Sequence, residues 1–411
     1  MPLAEPADLQ QIARFDDPSF LEDPYGAYAR LRREAPVWWC ESASAWTVTR
    51  YADARTVLLD PESFTSAPQG ANAYLDLDGP NPYDDPGSGM LVLTEPPAHR
   101  THRRMFTGGA SYSSGAAEAM RARMARMSEE LVAALPEGDV DAVDDVARPA
   151  VMWLMKEFFD LLEPQADEPP WQDALLGYYS PGTGAATTGL HRYMERLVRT
   201  RRQDHGHDPV SLAVQANDRK GALSDAQMAW NFFDAILAGG ASTLALAAES
   251  INVIARNPRW QSPDYWDTTA AAMRSTEELL RWASHIHQVT RTATRDVELN
   301  GRLIRSGDTV FVVLASADRD ESVWDRGDEL DLAREPRQAN FAFGHGPHVA
   351  TGSMLARTFL STLLPAFLHT CRPFSPGALP SHARIRGIST PVSVPITRSR
   401  EGTAPQVGAP Q

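Results

Sequence analysis

The sequence predicts a mainly α-helical fold with a small β-rich lobe. Three observations carry that prediction. A long helical run extends from Ala226 to Arg256, and residues 113–163 set Met120, Met124, Met127, Leu131 and Leu135 at mixed three- and four-residue steps. After Gly352, Met354, Leu355, Phe359, Leu360, Leu363 and Leu364 form another stripe at helical spacing. Strand patterns are short and gather in two places, near residues 37–50 and 289–312.

Taken in order, residues 1–24 are polar and broken by four prolines, and read as an arm. Tyr25 to Glu34 has helical spacing and stops before Pro36. Val37 to Trp39 and Ala45 to Thr49 read as two strands joined by a polar turn, and Tyr51 to Leu59 returns to helix. Residues 66–90 and 164–190 are rich in Gly and Pro and read as long loops, the first carrying Asp76, Asp78, Asp84 and Asp85, the second Trp171, Tyr178 and Tyr179. Asn300-Gly301 turns a hairpin between Val297 and Leu303, and Thr309 to Leu314 reads as a buried strand. One domain therefore spans 25–396, and the tail 397–411 is expected to be disordered.

Composition narrows the function. A net charge of -14 argues against a nucleic-acid binder, which needs a basic footprint. The start MPLAEPADLQ has neither the basic residues nor the apolar run of a signal peptide. No window approaches the roughly 18 apolar residues of a membrane span. A cytoplasmic protein with no membrane partner is expected. Cys40 and Cys371, the two cysteines, read as reduced thiols, and neither has metal-ligand spacing.

The chemistry concentrates in Phe343-Gly344-His345-Gly346-Pro347-His348-Val349-Ala350-Thr351-Gly352, which runs into Leu355-Ala356-Arg357. Its glycines free the backbone for a tight loop that a bulky ligand can approach. Upstream, Pro96-Pro97 leads into a helix on which His99 and Arg103, four apart, share a face. Ala238-Gly239-Gly240-Ala241-Ser242-Thr243 interrupts the long apolar helix with paired glycines, each costing about 1 kcal/mol relative to alanine. They make sense where the helix opens or something lies close. Glu278 and Arg281 sit one turn apart, and Ala317-Asp318-Arg319-Asp320 follows the last strand.

These motifs, in this order over roughly residues 25–395, resemble the cytochrome P-450 family of soluble bacterial proteins. The 343–357 stretch is similar to its haem-binding loop, Phe-Gly-x-Gly-x-His-x-Cys-x-Gly, with Phe343, Gly344, Gly346, His348 and Gly352 all matching. Ala350 stands where the family has its iron-binding cysteine, so no metal ligand is assigned. The resemblance implies that His99, Arg103, Arg291 and His348 reach haem propionates. It implies that Glu278, Arg281 and Arg334 brace the loop beneath the haem, and that 66–90 and 165–205 shape the substrate pocket. In the central helix Ala241 replaces the family's acid and Ser242 its threonine. That leaves the hydroxyls of Ser242 and Thr243 as the candidate catalytic groups.

The cofactor implied is haem, held without cysteine ligation. His345 is the nearest imidazole in sequence, in a position that the family packs on the propionate side. Three accounts of Ala350 stay open: a divergent protein of a secondary-metabolite pathway with a non-oxidative or ligand-binding role; an ordinary monooxygenase carrying an engineered Cys-to-Ala change; or a non-catalytic helper that activates a glycosyltransferase. The partners implied are a small-molecule substrate and, through Arg100, His102 and Arg104, an acidic ferredoxin.

Overall fold

The computed structural model describes residues 8–67, 85–107, 113–165, 168, 184–385 and 387–398. Most of the two long loops, with Asp76, Asp78, Asp84, Trp171, Tyr178 and Tyr179, lies outside the described residues, as does the tail beyond Arg398.

Helix α1 (Tyr25–Glu34) leads to the antiparallel hairpin β1 (Val37–Cys40) and β2 (Ala45–Val48), and α2 (Tyr51–Leu59) follows. The described part of the N-terminal arm is anchored: Leu9, Ala13 and Phe15 are buried against Tyr28 and Trp38. β3 (Phe64–Thr65) precedes α3 (Ala98–Thr107), the helix of His99 and Arg103. The expected helix over 113–163 is two helices. α4 (Ser114–Ala133) ends before Pro136, and Gly138 takes φ +91° to open strand β4 (Gly138–Asp141). Proline cannot continue the ladder and glycine takes that dihedral without a steric cost, so the methionine stripe is helical as expected while the run breaks just beyond it. A wide helical turn at 142–147 then enters α5 (Arg148–Phe159).

α6 (Gly184–Gln203), which begins inside the stretch expected to be loop, and α7 (Pro209–Asp218) lead to α8 (Asp225–Arg256). Ser224 and Gln227 close a reciprocal cap at the start of α8. By length and composition α8 could cross a membrane, but 78% of its apolar window is buried inside the protein. It is the central core helix, and it runs through Gly239 and Gly240 unbroken.

α9 (Thr269–Trp282) carries Glu278 and Arg281. Then come β5 (Val289–Ala293), β6 (Val297–Leu299), β7 (Arg302–Ile304) and β8 (Thr309–Val312). β6 and β7 pair around Asn300 and Gly301, both at positive φ. The β-rich lobe is a five-stranded sheet in the order β1-β2-β8-β5-β3. It joins the two sequence regions from which it was expected. α10 (Ser353–Cys371) follows the glycine loop. β9 (Phe374–Pro376), β10 (Ser381–Ile385), β11 (Ile388–Ser393) and β12 (Pro395–Arg398) complete two smaller sheets not read from the sequence, one of them β4-β12-β9. β12 takes Thr397 and Arg398 out of the expected tail.

Candidate active site

A cavity of about 330 Å³ lies between the middle of α8 and the 342–352 loop. On α8, residues 234, 235, 238, 239 and 242 are half-buried in a helix that is otherwise almost wholly buried from 228 to 255. That spacing is one helix face, and all five positions line the cavity. Leu91, Val92, Phe158 and Phe159 form apolar wall, and Ser284, His285 and Ile286 approach from the α9–β5 connection.

The glycines divide into two kinds. Gly344 and Gly346 take φ +70° and +73°, and a Cβ on Gly346 would be driven into the Leu58 carbonyl. These two shape the loop. Gly352 does not need its conformational freedom, because its φ is -81°. A Cβ on Gly352 or Gly239 would meet nothing within 4 Å. Both glycines leave space on the cavity wall.

His99, Arg103, Arg291 and His348 all line this cavity. The His99 ring is buried, and neither of its nitrogens has a hydrogen-bond partner among the described residues. Burial first, then the neighbouring His348 and Arg103, pull its pKa down to about 4. His348 Nε2 lies 3.2 Å from Glu95 Oε2 and 3.1 Å from Ser66 Oγ. Burial pushes the Glu95 carboxyl up, but the His348 contact and the Ser66 backbone N–H outweigh it and hold the carboxyl at about 2. Arg103 Nη1 donates to the Pro347 carbonyl at 3.1 Å, and burial lowers its pKa. Arg291, also buried, donates Nη1 to the Thr290 carbonyl at 2.7 Å. His345 lines the same wall, its ring 5.4 Å from Phe341.

Ala350 is on the cavity wall, its N–H donating to the Phe343 carbonyl at 2.9 Å. Neither cysteine is part of that wall. Cys40 is buried near Ala13, and Cys371 closes α10 with its thiol pushed up to about 11 by burial. Ser242 and Thr243 line the cavity, but their hydroxyls donate back along the helix, Ser242 to the Ala238 carbonyl at 2.5 Å and Thr243 to Gly239 at 2.7 Å. Ala241 is buried in the core and lines no part of the cavity, so a carboxylate at 241 would face away from it.

The bracing residues form one network. Arg281 makes a two-pronged pair with Glu278 at 2.7 and 2.8 Å, and Arg334 Nε reaches Glu278 at 3.1 Å. Arg281 also donates to the Asp318 and Gly327 carbonyls, and the Asp318 carboxylate accepts from the Phe341 N–H at 2.8 Å. This chain of contacts ties α9 to the residue two places before Phe343. Arg357 holds the loop's other end: it pairs with Glu277 and lies over the Phe343 ring at 4.6 Å.

The family model described as Cytochrome P450 matches residues 273–382, which include α9 and the glycine loop. Cytochrome P450-SU2 of Streptomyces griseolus is 31% identical over 88% of this chain and 90% of its own length. The chain belongs to the cytochrome P450 family. Cytochrome P450 NovI of Streptomyces niveus is 30% identical over 87% of the chain and 88% of its own length. The P450 fold is shared with the bacillaene polyketide synthase cytochrome P450 PksS of Bacillus subtilis 168, at a TM-score of 0.81 and 21% identity over 93% of this chain and all of that one.

The P450 pocket fits the anionic edge and the flat apolar body of haem. The buried Arg291 guanidinium, the half-buried Arg103 guanidinium and two imidazoles line it, His99 has both ring nitrogens unsatisfied among the described residues, and Gly239 and Gly352 leave open wall. Three residues of this P450 site were missed in the sequence: Asp234 and His285, which line the cavity, and Glu95, which holds the lining residue His348. Glu95 directly precedes the double proline, and that adjacency was the available signal. Asp234 precedes Ala238 and Ser242 by four and eight residues, so the helical period could have placed it on the same face. His285 sits in a connection with no periodicity, and nothing in the sequence marked it. On α3, Arg100 and Arg104 are exposed as a docking face requires, whereas His102 is half-buried with Nδ1 turned inward.

Proposed function

We propose that this P450 binds haem in the cavity through His99, Arg103, Arg291 and His348, leaves the iron without a cysteine ligand, and serves a small-molecule reaction or binding step other than monooxygenation. Bound there, haem supplies a Lewis-acidic iron and an apolar plane. The protein's own groups do the rest. Arg103 and Arg291 would exchange the Pro347 and Thr290 backbone carbonyls for carboxylates, a stronger charge-assisted contact. His99 gains an acceptor for a ring N–H. The apolar wall excludes water, and burial of a porphyrin in such a wall contributes binding at about 25 cal/mol per Å² without any axial bond.

The observation that carries the reading is the convergence of four cationic or imidazole groups on one cavity whose wall holds Ala350 and no cysteine. The reading includes a place in bacterial secondary metabolism, the setting of PksS, the bacillaene polyketide synthase cytochrome P450 that shares this fold. Titration of purified protein with haem tests it. Stoichiometric uptake is expected, and Arg103→Leu with Arg291→Leu should weaken it by roughly ten- to a hundredfold per arginine, since each such contact is worth about 1.5–3 kcal/mol. Protein that takes up no haem, or binds it equally well without both arginines, contradicts the proposal.

A further inference from the structure

Two guanidiniums of the cavity wall lack a counter-charge. Arg103 donates to the Pro347 carbonyl and Arg291 to the carbonyl of its own neighbour Thr290, and neither forms an ion pair among the described residues. Glu95 is committed to His348 and Ser66, and Asp234 is engaged by groups other than these two arginines. His99, on the same wall, keeps both ring nitrogens unsatisfied among the described residues. Cations this far from water are costly to leave unpaired, so the pair calls for a ligand with two anionic groups. A hold on a metal is not built into the wall in the same way. Around residue 350 the wall is Val349, Ala350, Leu355 and Ala356. The backbone donors there are used, Val349 N–H on the Gly346 carbonyl at 3.2 Å and Ala350 N–H on the Phe343 carbonyl at 2.9 Å. Among the described residues no group of three or more His, Cys, Asp or Glu is placed to hold a metal ion. The wall offers apolar surface instead, with Gly239 and Gly352 leaving room for a flat ring.

We propose that the site recognises the dicarboxylate edge and apolar face of a tetrapyrrole and is indifferent to the metal at its centre, so that the metal-free ring binds as well as haem. The proposal rests on the reading of the cavity as a haem site and names the ligand class it takes. Arg103, Arg291 and His99 hold the edge, and Ala350 presents a methyl group with no lone pair to the ring.

Quenching of the protein's tryptophan fluorescence tests it with three probes: haem, metal-free protoporphyrin IX, and the dimethyl ester of protoporphyrin IX, whose carboxylates are masked. In the unaltered protein, haem and protoporphyrin IX should bind within about tenfold of each other, and the ester about a hundredfold or more weaker than the acid, since two charge-assisted contacts are lost. Arg103→Leu combined with Arg291→Leu should bring acid and ester within about threefold. His285→Gln and His345→Gln, which remove the other imidazoles of the wall, should leave the ratio of haem to metal-free ring unchanged. Haem bound more than about tenfold tighter than the metal-free ring overturns the proposal, because the protein then ligates the metal, and the haem reading stands. An ester that binds as tightly as the acid also overturns it, because the ring is then only adsorbed on apolar wall. An acid-to-ester ratio that survives loss of both arginines overturns it as well. Protein that binds neither ring sinks the haem reading itself.

Discussion

The imidazoles of His99 and His348 lie tilted against each other at the cavity wall, with ring centroids 4.5 Å apart and planes inclined at 51°. One comes from α3 and the other from the glycine loop, so the pair joins two segments far apart in sequence. His348 is satisfied by Glu95 and Ser66, and His99 has no partner among the described residues. An anion at the rim completes the arrangement by giving His99 an acceptor.

Buried neutral histidines make stability depend on acidity. His99 and His285 are pulled down to about 4 and His287 to about 3, each chiefly by burial. Above the ordinary histidine value of about 6.5 the folded and unfolded chains are both neutral at these sites, and the stability is complete. As pH falls from there toward 4, the unfolded chain takes up protons that the fold refuses, so stability is lost. Asp318, pushed up to about 8 by burial, has the opposite sign over this range, but it is one proton against three. Urea unfolding should show stability falling from pH 6.5 to 4.5, and His287→Gln should flatten that fall. A stability that is level or rises on acidification contradicts the assignment of these groups as neutral.

The two kinds of glycine predict opposite outcomes for the same substitution. Gly239→Ala should stabilise α8 by about 1 kcal/mol and raise Tm, because the new methyl meets no protein atom. The same methyl should weaken haem uptake, because it projects into the cavity. Gly346→Ala should lower stability by about 1–3 kcal/mol, since alanine must adopt positive φ against the Leu58 carbonyl. Thermal melts and haem titrations of both variants check this. A Gly239→Ala protein that binds haem as before would show that the ligand does not approach the helix there.

Glu278 balances two arginines in a buried network, with side-chain exposures of 2% for Glu278 and 1% for Arg281. Glu278→Gln leaves Arg281 buried without its counter-charge and should cost about 3–5 kcal/mol. Arg334→Ala removes a more exposed partner and should cost distinctly less. Chemical denaturation measures both, and equal losses would mean that the network is not centred on Glu278.

Much of this was legible in the sequence because the features are local. The long helix, the Asn300-Gly301 hairpin and the glycine loop each announce themselves within a few residues. The four rim groups were legible through motif context, since nothing in the spacing of His99, Arg291 and His348 alone brings them together. What stayed hidden depends on tertiary packing. β4 and β12 pair across more than 250 residues of chain, and their short mixed patterns gain meaning only in each other's presence. Ser242 and Thr243 showed their residue types but not that their hydroxyls bond back to Ala238 and Gly239. Ala241 read as the replacement of the family's acid, but its burial in the core away from the cavity was not legible from residue type.

The most direct measurement is the absorption spectrum of the haem-loaded, reduced protein under carbon monoxide, before and after Ala350→Cys. The unaltered protein should lack the red-shifted Soret band of thiolate-ligated haem, and the Ala350→Cys protein should acquire it, because residue 350 already lies on the cavity wall. A thiolate band from the unaltered protein, or haem-loaded Ala350→Cys protein that never shows one, would contradict the proposal that residue 350 occupies the position of the missing iron ligand.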